Sequence, residues 1–107
     1  MKIISEITTR LNGNVSEFLC PRCGHAHLRQ GPITVFSRPK GAEAITVVTA
    51  YEGELIVSSN GSNAIHPSPQ TDGFMIQFAC EACGDEPLFL RIVQHKGFTG
   101  VCWAVNS

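Results

Sequence analysis

The sequence predicts a mostly β protein, a single small domain of antiparallel strands in which two cysteine-bearing turns are drawn together. Three observations carry that expectation. Short runs of alternating or β-branched residues recur between turn residues, and no stretch has a convincing amphipathic-helix period. The motif Cys-x-x-Cys-Gly occurs twice, at Cys20-Pro21-Arg22-Cys23-Gly24 and at Cys80-Glu81-Ala82-Cys83-Gly84. At 107 residues, 43% of them hydrophobic and 16% charged, the chain fits one globular domain over residues 1–107 rather than a disordered adaptor.

Taken in order, Ile3, Ile4, Ile7 and Leu11 fit a helical face and also, apart from Ile4, one face of a strand. The β-branching of Ile3, Ile4, Ile7 and Thr8 and the hairpin dipeptide Asn12-Gly13 ahead of Val15–Leu19 favour strands. That second strand runs into the first cysteine pair. Further strands are expected at 33–37, 44–50 and 55–59, the last two joined by a hairpin at Tyr51-Glu52-Gly53-Glu54. Residues 60–73 are rich in Asn, Gly, Ser and Pro without periodicity, which predicts a long loop. Phe74, Ile76 and Phe78 alternate with Met75 and Gln77 into Cys80, a half-buried strand delivering the second pair. Leu88–Val93 and Phe98–Val105 then form a hairpin about Gly97, with Pro87 just ahead of the first strand, where it costs no ladder hydrogen bond.

Four thiols in two such pairs make a tetrahedral metal site, and zinc accepts four thiolates at about 2.3 Å in closed structural sites. Cys20, Cys23, Cys80 and Cys83 are therefore the expected ligands of one structural Zn2+. A metal clip adds usefully to the thin stability margin of a chain this small. Thiol–disulfide exchange also uses Cys-x-x-Cys, but such thiols are activated at a helix N-terminus, whereas Gly24 and Gly84 suit a knuckle turn. Neither the His-x-Glu of zinc deaminases nor the His-Glu-x-x-His of zinc proteases is present, and a closed site leaves no position for water, so no catalytic role is expected. His25 and His27 read as surface neighbours of the site. Cys102, in Val101-Cys102-Trp103-Ala104, reads as a small buried hydrophobe.

The formal net charge is −1, with six basic against three acidic residues up to Ala50 and two against six thereafter. This polarity is weak. A nucleic-acid contact would draw on Arg22, Arg29, Arg38, Lys40 and Lys96, with Phe36 or Tyr51 for stacking, although Arg22 and Arg29 also serve to offset the negative charge of a four-thiolate zinc. Gln94-His95-Lys96-Gly97 has two readings: as a turn, Gly97 supplies the conformation and His95 hydrogen-bonds or covers the metal site; as a contact site, His95 and Lys96 protrude toward a partner. No apolar run reaches the roughly 18 residues of a membrane span, and the first residues lack a signal-peptide pattern. A cytoplasmic location and no membrane partner are expected, and the Asn-x-Ser triplets at Asn14 and Asn60 are then chance matches.

Cys20 to Gly24, Pro67-Ser68, Gly73 to Gly84, Ile92 to Gly97 and Trp103 together resemble a group of small zinc-ribbon-like proteins of phages, plasmids and other bacterial mobile elements. The likeness covers most of residues 20–103 and implies a metal site and a mobile-element origin in a bacterial host cell. Members of that group tend to carry a basic pair after Pro-Ser where this chain has Pro69-Gln70-Thr71, a departure that weakens a phosphate-binding role for that loop. The closed site, the near-neutral charge and the resemblance lead to one functional expectation. It is a non-catalytic zinc-stabilised module acting on a protein partner, for example by inhibiting a host defence or regulatory complex. The alternative is a zinc-ribbon nucleic-acid binder.

Overall fold

A computed structural model of the chain describes residues 2–37, 45–58, 73–95 and 97–106, without the side chains of Asp85 and His95. The described residues form strands and turns and no helix. The strands are β1 (Lys2–Ser5), β2 (Thr9–Asn12), β3 (Val15–Phe18), β4 (Leu28–Ser37), β5 (Thr46–Tyr51), β6 (Glu54–Ser58), β7 (Gly73–Cys80), β8 (Gly84–His95) and β9 (Phe98–Val105). Seven make one antiparallel sheet in the order β1-β9-β8-β7-β4-β5-β6, and β2 and β3 form a separate two-stranded hairpin. Among the described residues no helix is long and apolar enough to cross a membrane.

Each sequence signal meets a specific local outcome. The first segment is β, but it splits: β1 pairs with β9 at the sheet edge, while β2 turns through Gly13 to β3. The β5–β6 hairpin closes with Tyr51 opposite Glu54, and Glu52 and Gly53 take φ of 50° and 80°, the conformation of a two-residue type I′ turn. β4 starts at Leu28, five residues ahead of the expected Ile33, because a bulge between Gln30 and Ile33 absorbs Gly31-Pro32 without ending the strand. Pro87 lies inside β8 rather than ahead of it. The β7–β8 register shifts between Phe78 and Cys80, leaving Pro87 in the irregular stretch between the partners Gly84 and Leu88. The loop expected at 60–73 lies outside the described residues apart from Gly73, which opens β7.

Cross-strand pairing puts Phe78 opposite Leu88, Ile76 opposite Leu90 and Leu90 opposite Trp103, so these side chains share one face of the sheet. With Cys20 and Cys80 they build one core, joined by Ile4, Ile7, Leu28 and Val105. Phe18 from β3 and Phe78 from β7 both meet the Trp103 ring edge-on, at centroid distances of 6.1 and 5.7 Å. Phe18 thereby seats the small hairpin over this face. The opposite face carries a second core of Phe36, Ile45, Val47 and Met75, with Phe89 packed against it. Met75 was the polar-side partner in the expected alternation of β7, yet it is buried. The central strands are covered on both faces, which hides the simple in-out pattern.

Candidate metal centre

Two turns form the site. The first joins β3 to β4: the Gly24 N–H donates to the Cys20 carbonyl at 2.8 Å, and the Cys20 N–H donates to the His25 carbonyl at 2.8 Å. The second is the turn from β7 into β8, with Cys80 opposite Gly84. Gly24 and Gly84 have φ of 78° and 121°, left-handed conformations that L side chains rarely adopt. Each therefore lets the chain reverse directly behind its second cysteine. A bond from the Glu81 N–H to the His27 carbonyl at 3.1 Å ties the two turns together, and Leu28 pairs with Cys80.

The four sulfurs converge. Their Sγ atoms all lie within 4.8 Å of one another, with Cys20 to Cys83 at 3.7 Å and Cys23 to Cys80 at 3.6 Å. A tetrahedron with metal–sulfur bonds of about 2.3 Å has edges of about 3.8 Å, so these separations and this all-thiolate donor set fit a tetrahedral soft-metal site. The site is two-sided: Cys20 and Cys80, first in each pair, are buried in the core around Trp103, whereas Cys23 and Cys83 are exposed.

Electrostatics within the cluster are lopsided. Burial pushes the Cys80 thiol up, but the N–H groups of Ala82 and Cys83 and the thiols of Cys83 and Cys23 more than offset it and bring it down to about 7. Cys83, which hydrogen-bonds Cys80 and is partly desolvated beside Cys20 and Cys23, is pushed up to about 12. At Cys23 the His25 N–H pulls downward, yet desolvation and the thiols of Cys80 and Cys20 prevail, and its pKa is raised. Four sulfurs this close resist carrying several negative charges on their own. A dication at their centre removes that repulsion and deprotonates the coordinating thiols.

Other candidate residues fall in different places. Arg22 donates to the Glu86 carboxylate at 3.1 Å and to the Glu86 carbonyl at 2.7 Å. Arg29 and Tyr51 line one open cavity, of about 530 Å³, along with Glu52; Phe36 is only 1% exposed and offers no stacking surface. His25 and His27 are exposed and stack edge-on at 4.6 Å, and neither joins the cysteine group. Cys102 is half-buried on β9, opposite Arg91, apart from the other four. Arg38, Lys40, Lys96 and the His95 side chain lie outside the described residues. Sequence reasoning missed the Arg22–Glu86 pair, whose only signal was an acidic residue beyond the second knuckle. Comparison of the chain with protein-family models, curated proteins and solved structures gives no match in any of the three.

Proposed function

We propose that this chain is a non-catalytic binding module, stabilised by one structural zinc ion, that acts on a protein partner. The convergence of four cysteine sulfurs within 4.8 Å carries the reading. Four thiolates complete zinc's preferred coordination, so Cys20, Cys23, Cys80 and Cys83 hold the ion and leave it no position at which to activate water or polarise a substrate. When bound, the ion supplies folding free energy, because it locks together turns from distant parts of the sequence. In keeping with the mobile-element resemblance, the target is a bacterial defence or regulatory complex.

Protein contact is favoured over nucleic acid by what the basic residues do. Arg22 is engaged with Glu86 and Arg10 with Glu17, so two of the basic residues in the first half of the chain are already paired with carboxylates. Meanwhile Leu55, Ile56, Val57, Phe98 and Val101 are exposed apolar surface on the sheet. Affinity capture from bacterial lysate with zinc-loaded protein under reducing conditions tests the reading. Recovery of a defined protein complex that survives moderate salt supports it. Recovery of nucleic acid alone, lost between low and moderate salt, overturns it in favour of the nucleic-acid reading.

A further inference from the structure

The two edges of the seven-stranded sheet are built differently. At one edge β1 carries Lys2 and an irregularity in its register between Ile3 and Ser5, two devices that discourage a further strand from adding. The other edge, β6, has neither. Its register with β5 is unbroken, it has no lysine or proline, and among the described residues no strand pairs with its outer side. Leu55, Ile56 and Val57 are 67%, 63% and 61% exposed.

We infer that β6 is a self-association surface, on which a second copy of this chain adds its own β6 antiparallel about a two-fold axis through Ile56. The backbone parity permits it. Tyr51 and Glu54 flank a two-residue turn and form its closing hydrogen-bonded pair, so Glu54, Ile56 and Ser58 turn their backbone groups toward β5. Leu55 and Val57 turn theirs outward. Centring on Ile56 sets Leu55 opposite Val57 of the second copy and Val57 opposite its Leu55, which satisfies the outward N–H and C=O groups of both residues in both copies. Side chains match as well. Ile56 meets Ile56 on one face, Leu55 meets Val57 on the other, and each Glu54 carboxylate faces a Ser58 hydroxyl rather than another charge. Five-residue edges bury on the order of 300–400 Å² per copy, well under the roughly 800 Å² of a standard interface. The association is therefore of the weak, transient class, and the test spans a dissociation constant of about 10–100 μM.

Sedimentation equilibrium of the metal-loaded full chain, from about 10 μM to about 1 mM to bracket that constant, tests the inference. The expected mass rises from one chain to two. Val57→Pro removes an outward N–H and leaves the β5 ladder intact, and Ile56→Lys sets two like charges together on the two-fold axis; each weakens association at least about tenfold. Phe98→Lys, which removes an exposed apolar side chain on β9, leaves it unchanged. Should Val57→Pro fail to fold, Ile56→Lys carries the test, since its side chain is solvent-facing. A one-chain mass throughout, association insensitive to both β6 variants, or equal weakening by Phe98→Lys overturns the inference.

Discussion

Cys20 Sγ stands 3.7 Å from Cys83 Sγ although 63 residues separate them in sequence. One belongs to the turn between β3 and β4 and the other to the turn between β7 and β8, so whatever holds these sulfurs together pins both turns to each other at the end of the sheet where Leu28 pairs with Cys80. Purified protein should contain one zinc per chain by elemental analysis, and cobalt loading should give the absorption of a tetrahedral thiolate site. Chelation or Cys80→Ser should lower the melting temperature by at least about 10 °C. A metal-free chain that is equally stable, with all five thiols freely titratable, would refute the assignment.

Trp103, the sole tryptophan, is fully buried in the same core as Cys20 and Cys80. Its emission should therefore report on the metal site. Adding chelator should shift the fluorescence to longer wavelength as this core loosens, and restoring zinc should reverse it. Trp103→Ala should cost about 3–5 kcal/mol of stability, measured by denaturant unfolding.

Arg22 reaches Glu86 with two hydrogen bonds, but the Glu86 side chain is 64% exposed. Breaking the ion pair with Glu86→Gln should cost no more than about 1 kcal/mol. An electrophoretic shift assay at ~50 mM salt with single- and double-stranded DNA and RNA should show no complex at tens of micromolar protein. A shift that disappears in the combined Arg22→Gln, Arg29→Gln variant would restore nucleic acid as the partner.

Across the β2–β3 hairpin, Arg10 Nε donates to Glu17 Oε1 at 2.9 Å. That bond first, and one from Asn12 second, hold the Glu17 carboxyl below its ordinary 4.5. The folded pKa is lower than the unfolded one, so the pair stabilises the hairpin above the ordinary carboxylate range, and the contribution disappears as pH falls through the depressed value. An NMR titration should place the Glu17 midpoint below 4.5, and Arg10→Gln should bring it back up.

Glu52 holds a left-handed φ of 50° in the β5–β6 turn, a conformation in which asparagine is at home and glutamate is strained. Glu52→Asn should stabilise the protein by about 0.5–1 kcal/mol, read from the shift in its denaturation midpoint.

Much of the strand pattern was legible because hairpin chemistry is local. Asn12-Gly13, Glu52-Gly53 and the turn at Gly97 each declare a reversal within a few residues. The cysteine cluster was legible for a related reason, since each knuckle carries its own glycine and its own spacing. What the sequence hid was non-local. Nothing in Lys2–Ser5 names β9 as its partner, and the short stretch from Lys2 to Asn12 contains both an edge strand of the large sheet and half of a separate hairpin. Gly31-Pro32 and Pro87 look like strand boundaries, but bulges let the strands continue past them. Phe36 reads as a surface aromatic until the second core is assembled around it. The basic residues resisted a reading because Arg22 is claimed by Glu86, 64 residues away.

β7 and β8 feed both cores at once: Ile76, Leu88 and Leu90 go to one face and Met75 and Phe89 to the other. Neither core can melt without loosening the strands that floor its neighbour. Amide hydrogens along β7 and β8 should then exchange with solvent only through global opening, and last of all in the chain. Those of β6, at the margin and contributing no residue to either core, should exchange by local fraying. The molecule is thus graded in rigidity across its sheet, most permanent at the hairpin that ends in Cys80 and most yielding at the opposite border.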